Sequence, residues 1–76
     1  MSTPTNHTID RAELQRRRIE AGLSKTALAE RAGVSLPTVS RIESGERKPS
    51  PALLVALARA LDCGPADLMP SLAVGA

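Results

Sequence analysis

The chain has 76 residues, a formal net charge of +2 and a pI near 9.3, with 42% hydrophobic residues and no Phe, Trp or Tyr. A chain this short makes one domain that hides only about 60% of its unfolded surface, which excludes a large internal active site. Without aromatic rings it lacks the stacking platforms used on single strands and unpaired RNA bases, whereas its basic balance leaves duplex nucleic acid open as a partner.

Residues 1–8, MSTPTNHT, are polar and unpatterned and are expected to form a disordered arm; with no Lys or Arg they make a poor minor-groove hook, and His7 has no second metal ligand near it. A first helix is predicted from Arg11 to about Ala21, stopping at Gly22. Asp10 with Glu13 forms a capping-box pattern, and Ile9 with Leu14 occupies the positions of a hydrophobic staple. Ser24 then caps a second helix over Lys25–Ala32, with Leu28, Ala29 and Ala32 on one apolar side and Gly33 as its exit. A third helix starts at Ser35 or Leu36, because Pro37 lacks an N–H and fits only a first turn, and Gly45 ends it. Val39 and Ile42 are spaced to bury one of its faces.

Ser50-Pro51 matches the N-cap and first position of a fourth helix running to Leu61. Leu53, Leu54, Leu57 and Leu61 supply its core side, leaving Val55 and Ala56 as apolar surplus suited to burial under a tail or a partner. A last helical turn or two is expected over Pro65–Met69, so residues 9–69 form the domain and residues 70–76 a short loose tail. Cys63 is the single cysteine, which excludes an internal disulfide and a Cys-based metal site and gives the expectation of a buried structural thiol in a cytoplasmic protein. No stretch suits a membrane span and no secretory signal opens the chain, so no membrane partner is expected.

Two short helices joined by three residues that include Gly meet the steric demands of a helix-turn-helix. Ala29 is small where they approach, and Val39 and Ile42 plug the angle between them. The stretch GLSKTALAERAGVSLPTVSRIESGERKPSPALLVALARAL, Gly22 to Leu61, resembles the phage-repressor and Cro-like (XRE-type) helix-turn-helix DNA-binding domains. The resemblance is carried by L-S-x-x-x-L-A, A-G-V-S, V-S-R-I-E-x-G and K-P-S, and with the first helix and the ADL segment it covers roughly Ile9 to Met69. It implies an all-α, compact five-helix bundle, similar to the lambda-repressor DNA-binding domain, in which Ser35–Ser44 is the recognition helix for the major groove. It also implies that Arg18 reaches Glu43. The helical wheel agrees, since Leu14, Arg18 and Ala21 share the core side and a charge there needs a partner.

Leu36, Pro37, Ser40 and Arg41 lie off the buried face of the third helix and are the candidate base contacts. Arg41 alone has a fork suited to guanine O6 and N7, with a phosphate grip as its alternative. Leu36 and Pro37 depart from the polar residues expected there; they offer at most contact with thymine methyl groups, and Pro37 serves equally as a helix-start device. Lys25, Ser35, Thr38, Arg47 and Lys48 are the candidate phosphate contacts, while Arg16, Arg17, Arg31 and Arg59 are expected to be surface charges. Val55, Leu68, Met69, Leu72 and Val74 either line a dimer interface or complete the monomer core. No nucleophile with a base, no paired carboxylates and no metal-ligand cluster point to an enzyme, and no cofactor or metal is expected. The expected function is that of a transcriptional regulator, most simply a repressor on operator double-stranded DNA as a homodimer. The competing reading is an antitoxin-like module that covers a toxin partner with its apolar fourth helix and tail and autoregulates its operon.

Overall fold

A short helix needs help at both ends, and this chain supplies the same help four times. The computed structural model describes residues 9–69, with α1 over Arg11–Glu20, α2 over Lys25–Ala32, α3 over Leu36–Ser44 and α4 over Pro51–Ala60. Helices of this length fall below the roughly 12–15 residues at which a helix holds alone in water. Asp10, Ser24, Ser35 and Ser50 each cap one of them. Their side-chain oxygens accept the N–H of Glu13, Ala27, Thr38 and Leu53 at 3.1, 3.0, 3.2 and 3.1 Å. Each such cap contributes about 1 kcal/mol.

The C-terminal ends repeat as well. Gly22, Gly33, Gly45 and Asp62 turn the chain left-handed, at φ of 74°, 75°, 89° and 59°. The next N–H then reaches back to the carbonyl of Arg18, Ala29, Arg41 or Ala58 at 3.0, 2.9, 2.8 and 2.9 Å, which satisfies orphan helix carbonyls. After three of the helices the residue making that bond is Leu23, Val34 or Cys63, each packed against the core. After α3 it is the exposed Glu46, so the chain leaves the core there and runs outward through Arg47 and Lys48 before Pro49 buries again.

The core forms where these segments meet. Leu14, Leu28, Val39, Ile42, Leu57 and Leu68 are fully buried, with α1 against α3, α2 against both α3 and α4, and the segment after α4 against α1 and α4. Ala29, nearly fully buried, lets α2 and α3 approach closely. The Asp10 N–H donates to the Leu68 carbonyl at 2.7 Å, joining the start of the described segment to its end.

The structure corrects several expectations. Among the described residues there are four α-helices, and the fifth element is a 3-10 turn over Pro65–Leu68. Pro65 opens it, the Asp67 carboxylate accepts the Gly64 N–H at 2.9 Å, and Met69 is already extended, as the following Pro70 favours. The capping box is half formed: Asp10 accepts from Glu13, but its own N–H goes to Leu68 and the Glu13 carboxylate turns to Arg16 and Arg17. Ala21, the C-cap of α1, is exposed and does not share the buried side of Leu14 and Arg18. Cys63 is half-buried, and that burial pushes its thiol pKa up. The arm, residues 1–8, and the tail, residues 70–76, lie outside the described residues.

Candidate nucleic-acid interface

The third helix is held on one side and free on the other. Val39 and Ile42 are fully buried, whereas Leu36 is 43% exposed and Pro37, Arg41 and Ser44 are exposed beside it. Ser40 and Thr38 are half-buried. At the helix start Ser35 is the N-cap and Pro37 stands in the first turn, where its missing N–H costs nothing. The Ser35 and Thr38 hydroxyls lie 2.8 Å apart in a shared hydrogen bond. One of the two hydroxyl protons is therefore taken, leaving the pair a single donor for an outside acceptor.

The far end of α3 is braced from α1. Arg18 Nε donates to Glu43 Oε2 at 2.7 Å and Nη2 to Oε1 at 3.3 Å, a two-pronged pair with side-chain exposures of 10% and 5%. Arg18 Nη1 also donates to the Leu23 carbonyl at 2.9 Å. One guanidinium thus ties α1, the turn before α2 and the last turn of α3 into a single frame. The Leu23 contact has no sequence signal, since it depends on where the α1–α2 turn folds.

Charge pairing sorts the cations. All ten Lys and Arg and all eight Asp and Glu fall within the described residues. Glu13 takes Arg16 at 2.5 Å and Arg17 at 2.7 Å, Glu20 takes Arg16 at 2.9 Å, and Glu43 takes Arg18. The two arginines on Glu13 hold its carboxyl below the usual range. Arg11, Lys25, Arg31, Arg41, Arg47, Lys48 and Arg59 form no ion pair among the described residues. The outward side of α1 is therefore largely neutralised, while the exposed edge of α3 and the loop beyond it keep their positive charge.

The candidate site residues divide accordingly. Leu36, Pro37 and Arg41 share the open side of α3 with Ser40 at its margin, and Arg47 and Lys48 stand exposed on the loop after it. Lys25 is half-buried at the first position of α2. Of the residues offered for a dimer interface, Leu68 is fully buried in the core, which removes it from any surface. Met69 is half-buried against the same core, Val55 is 39% exposed, and Leu72 and Val74 lie outside the described residues. Sequence reasoning missed Arg11, whose guanidinium lies over Gly45, and the 59% exposed Ile19 on α1.

Residues 14–68 match the family model HTH_3, helix-turn-helix. The chain belongs to this XRE-type helix-turn-helix family. Solved structures place the HTH_3 domain beside known members of the fold. It is similar to the restriction-modification controller protein C.AhdI from Aeromonas hydrophila, at 33% identity and a TM-score of 0.73 over 75% of this chain and 86% of that one. The DNA-binding domain of the P22 c2 repressor gives 31% identity and a TM-score of 0.72 over 82% of both chains, and that repressor has also been solved with synthetic operator 9T. The same helical unit matches FeII HppE at 28% identity and a TM-score of 0.74, over 87% of this chain but 35% of that one. No curated protein matches the chain. Among the described residues no helix is long and apolar enough to cross a membrane.

Proposed function

We propose that the protein is a sequence-specific regulator of transcription, a repressor that occupies operator DNA as a homodimer with α3 in the major groove. The observation that carries this reading is the division of α3 into a buried, braced inner side and an exposed, unpaired outer side. A probe for a groove needs both. It must stand clear of its own chain, and it must not tilt when it meets charge.

In this arrangement Leu36, Pro37, Ser40 and Arg41 face base edges. Arg41 offers the bidentate fork for guanine, worth about 1–3 kcal/mol of discrimination, and Leu36 and Pro37 meet thymine methyl groups. Lys25, the Ser35–Thr38 pair, Arg47 and Lys48 hold the backbone on either side, fixing register without reading sequence. The likeness to the P22 c2 repressor, solved with an operator, supports the same use here. Val55, with Met69, Leu72 and Val74, is the proposed dimer contact. The absence of catalytic groupings in the sequence accords with a regulator that is not an enzyme.

Footprinting on the DNA flanking its own gene tests the reading. The expected result is two symmetric protected half-sites with centres about 34–36 Å apart, one helical turn. Protection without symmetry would remove the homodimer, and no protected site at concentrations that coat random DNA would remove sequence specificity. A second reading has its own support: a groove of about 330 Å³ lies beside Val55, between Arg31, Ala32, Ala52, Ala56 and Arg59. An antitoxin-like role would seat a partner protein in it. Capture from the host of a stoichiometric complex that leaves an Arg31→Glu, Arg59→Glu double variant free would favour that reading.

A further inference from the structure

The loop that leaves α3 bounds a small cavity of about 120 Å³ lined by Ile9, Arg11, Gly45, Arg47 and Lys48. Three of the five are cations, none is acidic, and none of the three cations has a carboxylate partner among the described residues. Arg11 belongs to the first turn of α1, far from Gly45 in sequence, yet its guanidinium lies so close over Gly45 that an added Cβ would collide with it. Gly45 is required for its φ of 89°, and its lack of a Cβ lets the exposed Arg11 guanidinium lie against it without shifting.

The carbonyl end of α3 attracts a cation to this place. That attraction leaves the donors idle, however: among the described residues the Arg11, Arg47 and Lys48 side chains donate to no protein acceptor. Like charges drawn to one cavity repel each other unless an anion enters, and a guanidinium fork beside an ammonium suits a phosphate oxygen pair. We propose that Arg11 completes a phosphate clamp with Arg47 and Lys48, taking one backbone phosphate of the bound duplex. This rests on the reading of the chain as a duplex-DNA binder. Arg11 thereby links the first turn of α1 to the DNA backbone, and acts on register and affinity, with no part in base choice.

The test is the salt dependence of duplex binding by the full chain, on operator and on random DNA, for wild type, Arg11→Ala, Arg11→Gln and Arg59→Ala. Losing one phosphate contact lowers the slope of log affinity against log salt by roughly 0.9. Both Arg11 variants should show that loss and weaken binding by the same factor on both DNAs, with melting temperatures within a few degrees of wild type. Arg59→Ala removes the same unit of charge outside the cavity and should keep the slope. An unchanged slope in both Arg11 variants overturns the clamp, and so does an equal loss in Arg59→Ala, which would trace the effect to net charge. If wild type binds no duplex, the parent reading fails and the clamp with it. Should Arg11→Ala melt early, Arg11→Gln, which keeps most of the side-chain stem, decides the matter.

Discussion

Removing the buried Arg18 should do more damage than removing any surface-facing charge of the domain. The Glu43 side chain is 5% exposed and its carboxylate depends on two Arg18 donors at 2.7 and 3.3 Å. Truncation to Ala leaves that carboxylate dry and unpaired, a cost of about 3–5 kcal/mol for a buried pair broken on one side. The Leu23 carbonyl loses its side-chain donor at 2.9 Å as well, adding about 1 kcal/mol. A domain of this size has a total stability of only about 3–9 kcal/mol, at 0.05–0.15 kcal/mol per residue. Arg18→Ala should therefore be largely unfolded at 37 °C. Glu43→Ala strands the guanidinium but leaves the Leu23 bond in place, so it should cost less. Arg18→Met with Glu43→Leu removes both charges and should recover most of the loss, while DNA affinity does not recover in step, because the angle of α3 is no longer set by a two-pronged bond. Urea denaturation followed by circular dichroism gives the stabilities, and a double-mutant cycle of Arg18→Ala, Glu43→Ala and their combination isolates the pair. The reasoning is refuted if both single variants lose less than about 1 kcal/mol, the size of an exposed ion pair.

Arg41→Ala should relax preference at one base position per half-site, whereas Lys48→Ala weakens binding to every sequence and flattens the salt slope; equal, sequence-independent losses would show that Arg41 grips a phosphate. Asp62 holds φ at 59° where the other three helices use glycine, so Asp62→Gly should raise the urea midpoint by an amount equivalent to about 0.5–1 kcal/mol; a drop would mean that the Asp62 side chain makes a stabilising contact. Glu13 has its carboxyl pKa depressed by hydrogen bonds from Arg16 and Arg17. Its contribution is complete above the ordinary value of 4.5 and is lost as pH falls through the lower folded value. Glu13→Gln should therefore make the acid limb of the stability curve shallower, and 0.5 M salt should shrink the difference between the two proteins.

Much of the fold is legible because its determinants are local. Asp10, Ser24, Ser35 and Ser50 bond to groups three residues ahead, and Gly22, Gly33 and Gly45 end helices through bonds within the same turn, so spacing along the chain is enough to find them. The apolar periodicity that places Val39 and Ile42 inward also exposes Leu36, Pro37 and Arg41. Other features had weaker signals. Glu13 sits where a capping box would use it, but two neighbouring arginines compete for its carboxylate and win. Asp62 carries no glycine mark, and Leu68 looks as suited to an interface as to a core until the 3-10 turn swings it under α1 and α4.

From the order of its residues alone this protein is four capped helices and an expected fifth, with a helix-turn-helix at the centre and an arginine on a helix face that must find an acid. Those properties are short-range, set by hydrogen bonds and side-chain periods within one or two turns. Only the folded arrangement decides that Arg18 also holds the Leu23 carbonyl, that Leu68 closes the core and that Arg11 comes to rest over Gly45. Each of these contacts joins residues from different elements, and their meeting depends on how the helices pack as a whole.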